Sequence, residues 1–486
     1  MKKYQIIIFS IFLFFQYSFG QSTQITRPNI VLILADDLGW KDLGCFGSDF
    51  YETPNLDALA KEGMKFTQAY AASPVCSPTR ASIMTGKYPA RTANTDWFGA
   101  PQPDNVQEHW TRDKPLLPAP YKDYLALKEK NMAEALRESG YATFFAGKWH
   151  LGPDERYWPE NQGFDINIGG HKAGGPYSGS KYFSPYENPK MENGPDGEYL
   201  PLRLGEETAN FIEENQDKPF FAYLSFYSVH TPLMTTEALE KKYQQKKESL
   251  GLEIQWGEEG ENKVRLVQCH PVYAGMVEAM DQAVGIVTAQ LKLLGLNDNT
   301  IIIFMSDNGG LSTAEGHPTS NLPLRAGKGW LYEGGIREPM IVKWPGVTTE
   351  GSTSTQPVIS NDFYPTILEM AGLPMLPDQH QDGLSLVKLL KGEGQLSREA
   401  LYWHYPHYGN QGGSPGSAIR QGDWKLIWWY ENNRLELFDL KNDLSENQNL
   451  ADQHPDRVQQ MKSKLKSWLE NVDARMPSQN TSSISR

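Results

Sequence analysis

Four short runs of the chain are apolar almost without interruption, and they constrain the fold more than any other feature. Ile30–Ala35, Tyr141–Ala146, Phe220–Phe226 and Ile301–Met305 are rich in β-branched or aromatic residues and are bounded by polar or turn residues. A strand with one wet face alternates apolar and polar residues, whereas a strand covered on both faces does not. The runs therefore read as buried parallel strands. Helical patterns lie between them. Asn131 with Glu134 three residues on has the form of a capping box, and Gly140 closes that helix. Val272–Leu296 carries apolar residues at helical spacing. This alternation predicts an α/β domain on a mostly parallel central sheet flanked by helices.

Such sheets bind ligands beyond the carboxyl ends of their strands. Asp36 and Asp37 follow the first run, Lys148 and His150 the second, His230 the third, and Asp307 and Asn308 the fourth. Taken singly, each has a plain reading. Asp36-Asp37 is equally a polar strand end, Asp307-Asn308-Gly309-Gly310 an ordinary turn, and His230-Thr231-Pro232 a turn with a hydrogen-bonded imidazole. Together they predict one site at one sheet edge. Carboxylates about 4 Å apart repel by about 4 kcal/mol at an effective dielectric of 20, so gathering three of them requires a cation. A set offering only oxygens suits Ca²⁺ or Mg²⁺ better than Zn²⁺.

The string Cys76-Ser77-Pro78-Thr79-Arg80 predicts a helix running to about Gly86, with Ser77 as N-cap and Pro78 as its first residue. Cys76 then sits at the helix N-terminus, where free N–H groups favour negative charge. The string by itself fits a small buried thiol as well as an activated thiolate.

Cys-x-Pro-x-Arg also resembles the signature at which type I sulfatases convert the cysteine to formylglycine. Ser82–Pro89, Gly147-Lys148-Trp149-His150-Leu151-Gly152 and Gly327–Gly335 resemble further motifs of that family, and the likeness runs from Pro28 to about Leu440. The resemblance implies an alkaline-phosphatase-like α/β domain with a smaller C-terminal α+β domain of antiparallel sheet and helix. It implies that Asp36, Asp37, Asp307 and Asn308, with the modified Cys76, bind one Ca²⁺. It further implies that a hydrated aldehyde at Cys76 attacks the sulfur of a sulfate ester. Arg80 would hold that group, Lys148 and Lys328 the sulfate oxygens, and His230 the leaving oxygen, while His150 would take the proton that lets sulfate depart. A formylglycine-generating or radical maturase is an implied partner, and a sulfated saccharide the implied substrate, with a lean to galactose or N-acetylgalactosamine sulfate. A phosphatase or phosphodiesterase of the same superfamily is the alternative, as is a noncatalytic glycan-binding relative. Expected substrate contacts are Asp96, Trp97, His171, Lys172 and His407, with Trp97 and the aromatic residues of Tyr402–Tyr408 suited to a sugar face.

Residues 21–355 are expected to form the catalytic domain, 356–475 the C-terminal subdomain, and 476–486 a disordered tail. Leu401–Tyr405, Trp424–Tyr430 and Arg434–Asp439 read as strands there. Val458, Met461, Leu465, Trp468, Leu469 and Val472 share one face of a final helix. Hydrophobic residues at 39% exclude a mainly disordered chain. A net charge of −13 without a basic block excludes a nucleic-acid binder. Lys2 and Lys3, the apolar Ile6–Phe15 stretch and Ser18-Phe19-Gly20 read as a secretory signal peptide over residues 1–20, too short for a membrane anchor. The protein is expected to be exported to the periplasm or secreted, where disulfides are permitted. Cys45, Cys76 and Cys269 are an odd number, and the sequence leaves open whether Cys45 pairs with Cys269. N-terminal sequencing of the exported protein is expected to begin at Gln21; a membrane-retained chain still beginning at Met1 would contradict the signal-peptide reading.

Overall fold

The computed structural model describes residues 27–481. The signal peptide expected over residues 1–20, the mature start at Gln21 and residues 482–486 lie outside the described residues.

A nine-stranded central sheet forms from β1 (Asn29–Ala35), β2 (Met64–Tyr70), β3 (Ala142–Gly147), β4 (Ile166–Ile168), β5 (Phe220–Ser225), β6 (Thr300–Ser306), β7 (Arg337–Lys343), β8 (Ser352–Ser354) and β9 (Val358–Ile359). Its order is β8-β2-β7-β6-β1-β5-β3-β4, with β9 also paired to β2. The block β6-β1-β5-β3-β4 is parallel throughout. The four apolar runs are its centre, and β1, β3, β5 and β6 are buried along their whole length. β7 runs antiparallel to both of its neighbours. Its ladder shifts between Glu338 and Met340, so Pro339, which has no N–H to donate, falls at an irregularity.

Helices cover both faces of the sheet. α1 (Pro54–Glu62), α4 (Leu200–Glu214) and α5 (Pro271–Leu293) share one core with Val31 and Ile33. α2 (Cys76–Thr85), α3 (Met132–Glu138) and α6 (Phe363–Met370) share the other with Ile30, Leu32 and Leu34. Alternate residues of one strand thus feed two cores, which is why the run shows no polar alternation. The Asn131 box forms as expected. Its Oδ1 accepts from Ala133 and Glu134 N–H at 2.9 and 3.2 Å, and its own N–H donates to Glu134 at 2.9 Å.

A second, four-stranded antiparallel sheet follows, with β10 (Leu401–Tyr405), β11 (Gly416–Gln421), β12 (Trp424–Trp429) and β13 (Arg434–Asp439). α7 (Pro455–Asn471) seals it with Met461, Leu465 and Leu469 against Ile419, Leu426 and Leu437. The boundary expected at residue 356 falls inside the first layer system: β9 pairs with β2, and α6 lies in a core of the central sheet. The antiparallel sheet begins only at Leu401. The tail expected to be disordered from residue 476 is docked over its described part. Ser478–Gln479 pair with Leu116–Leu117, and the Asn480 amide donates to the carbonyls of Arg112 and Lys114 at 2.8 and 2.9 Å. Cys45, Cys76 and Cys269 are all free thiols, so Cys45 and Cys269 are not bridged here.

Gly147 closes β3 with φ +105, and a Cβ there would lie 1.9 Å from the Ser225 carbonyl oxygen. That oxygen also accepts the Lys148 N–H at 2.8 Å, so the tight crossing aims the next side chain. Gly147→Ala is expected to cost about 1–3 kcal/mol from backbone strain alone, with the steric push added. Thermal unfolding checks this; an unchanged midpoint would contradict it.

Candidate active site

The sheet brings the expected residues together at the carboxyl ends of β1, β3, β5 and β6. Asp36 and Asp37 leave β1, and Asp37 turns into left-handed backbone with φ 59. Asp307 and Asn308 leave β6. Asp37 N–H contacts Asp307 Oδ1 at 3.3 Å, and Asn308 Nδ2 donates to Asp37 Oδ1 at 2.8 Å. Lys148 and His150 follow β3, His150 again left-handed with φ 56. Non-glycine residues in that region are strained, and strain of this kind collects where side chains must be aimed.

α2 supplies the remaining groups, and its start differs from expectation. The helix begins at Cys76 with Val75 as N-cap, so Ser77 and Pro78 are its second and third residues. Pro78 is tolerated because first-turn N–H groups have no helical acceptor. Ser77 instead accepts from Phe98 N–H at 3.1 Å. Arg80, one turn on, is 2% exposed. Its Nε donates to Asp307 Oδ2 at 2.8 Å, and its Nη1 to Ser225 Oγ and the Lys148 carbonyl, each at 2.7 Å.

Charge is matched inside this cluster. Lys148 Nζ donates to Asp36 Oδ2 at 2.6 Å, and Lys328 Nζ contacts the two Asp37 oxygens at 2.7 and 2.8 Å. With Arg80 on Asp307, three buried basic side chains each face a buried carboxyl group. His230 Nε2 lies 3.7 Å from Asp37 Oδ2, and its Nδ1 lies 2.6 Å from the Thr231 carbonyl. Burial pushes the Asp36 carboxyl up to about 8, with Lys148 acting against it. Burial acts the same way on Asp37, but Lys328 and His230 overcome it and hold the group well below the carboxylate range. Burial, followed by Lys328, lowers His230 to about 4; burial and Lys148 take His150 well below its ordinary value. Both rings are therefore neutral at pH 7 in the protein alone. Burial pushes the Cys76 thiol up to about 12, which argues against a free thiolate nucleophile.

The cluster has the donor set of a cation site. Asp36, Cys76 and Asp307 offer atoms within 4.8 Å of one another, as do Asp37, Cys76 and His230. Asp36 Oδ1 and Asn308 Oδ1 are buried without a hydrogen-bond partner among the described residues. Orphaned buried oxygens beside carboxylates fit a hard divalent cation.

A cavity of about 280 Å³ opens over Cys76, His150, His230 and Lys328. Of the expected substrate contacts, Trp97 and Lys172 line it. Asp96, His171 and His407 do not. Asp96 accepts from Tyr405 Oη at 3.2 Å and lies 3.4 Å from His407 Nδ1, while His407 Nε2 meets Thr95 Oγ1 at 2.9 Å. This buried group backs the Trp97 loop. His171 acts through its carbonyl, which accepts the His150 N–H at 3.1 Å. Tyr402 stacks on Trp468 at 4.7 Å, so its face is taken by packing. The wall also contains Tyr177, Glu315, Asn410 and Gln411, which were not singled out from the sequence. The glycine-rich character of residues 409–416 marks the last two as loop; nothing local marks Glu315.

This fold and site define a sulfuric ester hydrolase. Residues 28–373 match the family model described as Sulfatase, and residues 326–475 one described as N-sulphoglucosamine sulphohydrolase, C-terminal. The chain belongs to the sulfatase family. A sulfatase of Formosa agariphila is 34% identical, covering 96% of this chain and 94% of its own. Human N-acetylgalactosamine-6-sulfatase is 31% identical, over 89% of this chain and 77% of its own. The solved structure of Ps i-CgsB in complex with k-i-k-neocarrahexaose superposes with a TM-score of 0.74 at 29% identity, covering 91% of this chain and 93% of that one.

Arg80→Lys keeps the charge but loses the planar fork that holds Asp307, Ser225 and the Lys148 carbonyl at once. It is expected to lower kcat by about 10²–10³-fold with circular dichroism unchanged. Retention of full activity would contradict the positioning.

Proposed function

We propose that this sulfatase removes sulfate from glycans, with galactose or N-acetylgalactosamine sulfates as its substrates. The observation that carries the reading is the single cluster in which Cys76, three carboxylates and three fixed cations meet beneath one cavity. The likeness to an N-acetylgalactosamine-6-sulfatase and to a structure in complex with k-i-k-neocarrahexaose supports the sugar class.

Asp36, Asp37, Asp307 and Asn308, with the group at Cys76, would hold Ca²⁺, which supplies Lewis-acid stabilisation of developing negative charge when bound. Formylglycine made from Cys76 by a maturase would supply, as its hydrate, an oxygen nucleophile with a second hydroxyl. Around them the chain's own groups act by position. Arg80 fixes the nucleophile against Asp307. Lys148 and Lys328 take sulfate oxygens, where charge spreads as the ester bond breaks. His230 serves the leaving oxygen; a sulfate beside the ring adds the negative charge that favours its protonated form. His150, held neutral by burial, accepts a proton from the hydrated side chain. Trp97 offers an aromatic face to the sugar and Lys172 a cation. Asp96, His171 and His407 support that wall from behind. Export fits the signal-peptide reading, and no helix among the described residues is long and apolar enough to cross a membrane.

A phosphatase of the same superfamily is disfavoured by the donor set, since each candidate cluster contains at most one histidine among the described residues. Matched aryl sulfate and aryl phosphate esters are expected to show sulfate release dominating. On mono-sulfated sugars, release from galactose and N-acetylgalactosamine sulfates is expected. Activity confined to glucosamine or uronate sulfates would overturn the sugar assignment. Metal analysis is expected to find about one calcium per chain, lost in Asn308→Ala together with activity. Full activity in Asn308→Ala freed of calcium would remove the metal from this account.

A further inference from the structure

A cavity built for an anionic ester also carries a carboxylate on its wall. Glu315 lies on the loop after β6, with its backbone in the left-handed region at φ 51, a conformation strained for a non-glycine residue. The side chain is held from the other domain. Asn410 Nδ2 donates to Glu315 Oε1 at 2.9 Å, and Gln411 Nε2 donates to the same oxygen at 2.6 Å. The second oxygen, Oε2, accepts one hydrogen bond among the described residues, from the Thr231 hydroxyl at 3.4 Å. Its acceptor capacity is therefore largely free.

The clamp is itself anchored. The Gln411 carbonyl accepts from Thr313 Oγ1 and Trp330 Nε1, each at 2.9 Å. A Cβ on Gly413 would lie 1.8 Å from the Gly329 carbonyl, so this loop is seated directly against the Lys328 segment. Gln411 is 3% exposed. A strained residue, a two-amide clamp and a close loop contact together fix one carboxylate oxygen and leave the other to the Thr231 side of the cavity.

We infer that Glu315, clamped by Asn410 and Gln411, forms a subsite for uncharged sugar hydroxyls and rejects a second anionic substituent from its side of the cavity. The inference rests on the glycan-sulfatase reading and deepens it. A carboxylate accepts strong hydrogen bonds from hydroxyls. It repels a sulfate or carboxylate brought into contact, and such like-charge contacts discriminate strongly in a partly desolvated site. The rejection is directional, because the cationic side chain of Lys172 lines the same cavity. An additional anion is tolerated towards Lys172 and refused towards Glu315.

The test compares native protein with Glu315→Gln on one mono-sulfated galactoside and on the same sugar bearing a second sulfate at each remaining hydroxyl in turn. Both kcat/KM for sulfate release and Kd by calorimetry are measured. For at least one regioisomer, native protein is expected to favour the mono-sulfated sugar, and Glu315→Gln to reduce that preference about ten-fold or more. The ratio isolates the subsite, because any effect of Glu315 on Lys328 or His230 moves both substrates together. Every ratio staying within about two-fold of native would overturn the inference. If neither protein releases sulfate from any sugar, the sulfate-ester reading falls, and the Kd ratios still decide the subsite.

Discussion

Three carboxylates and three cations, all buried, meet at the ends of four parallel strands, and the rest of the molecule is arranged to make that tolerable. Each ion taken from water costs several kcal/mol even after relaxation. Lys148 on Asp36, Lys328 on Asp37 and Arg80 on Asp307 offset this through short charge-assisted contacts. Removing one partner would leave an uncompensated buried charge, typically a loss of 3–5 kcal/mol. A cluster of this kind survives only in a frame stable enough to carry it. The frame is a nine-stranded sheet with an apolar core on each face.

The same frame sets the chemistry. Parallel strands deliver their ends to one edge, so residues far apart in sequence converge without long loops. Arg80 reaches its partners because α2 starts immediately at Cys76, which places Cys76 and the guanidinium one turn apart. The second domain is not an appendage. Its glycine-rich loop supplies Asn410 and Gln411 to the cavity, and the buried Lys425 bridges Glu333 and Glu446 at 3.0 and 2.9 Å between the two sheets' elements. Catalytic pocket and domain contact are therefore one structure.

Much of this was legible in the sequence because burial on both faces erases polar alternation. β1, β3, β5 and β6 announce themselves as apolar runs, and the chemistry sits immediately past each. β2 and β7 did not. Met64–Tyr70 is mixed in polarity, and Arg337–Lys343 contains Pro339, which locally reads as a break and is accommodated by a ladder shift. The helix start was displaced because Ser77 and Pro78 carry capping signals that also fit a first turn. The gathering of Asp36, Asp37, Lys148, His150, His230, Asp307 and Asn308 at one sheet edge was readable from their places after the apolar runs. The cavity wall was not, since Glu315, Asn410 and Gln411 meet only through tertiary contact, and Asp96 and His407 lie buried 3.4 Å apart behind it. The tail from residue 476 looked loose in composition, yet Asn480 finds backbone carbonyls to hold it.

The central claim is that Cys76 is the precursor of the nucleophile, and one mass measurement tests it most directly. Tryptic digestion of protein made in its native host, or with a maturase, releases the peptide Phe66–Arg80. The account predicts an aldehyde or its hydrate in place of the Cys76 thiol. An unmodified thiol in protein that still hydrolyses sulfate esters would contradict it.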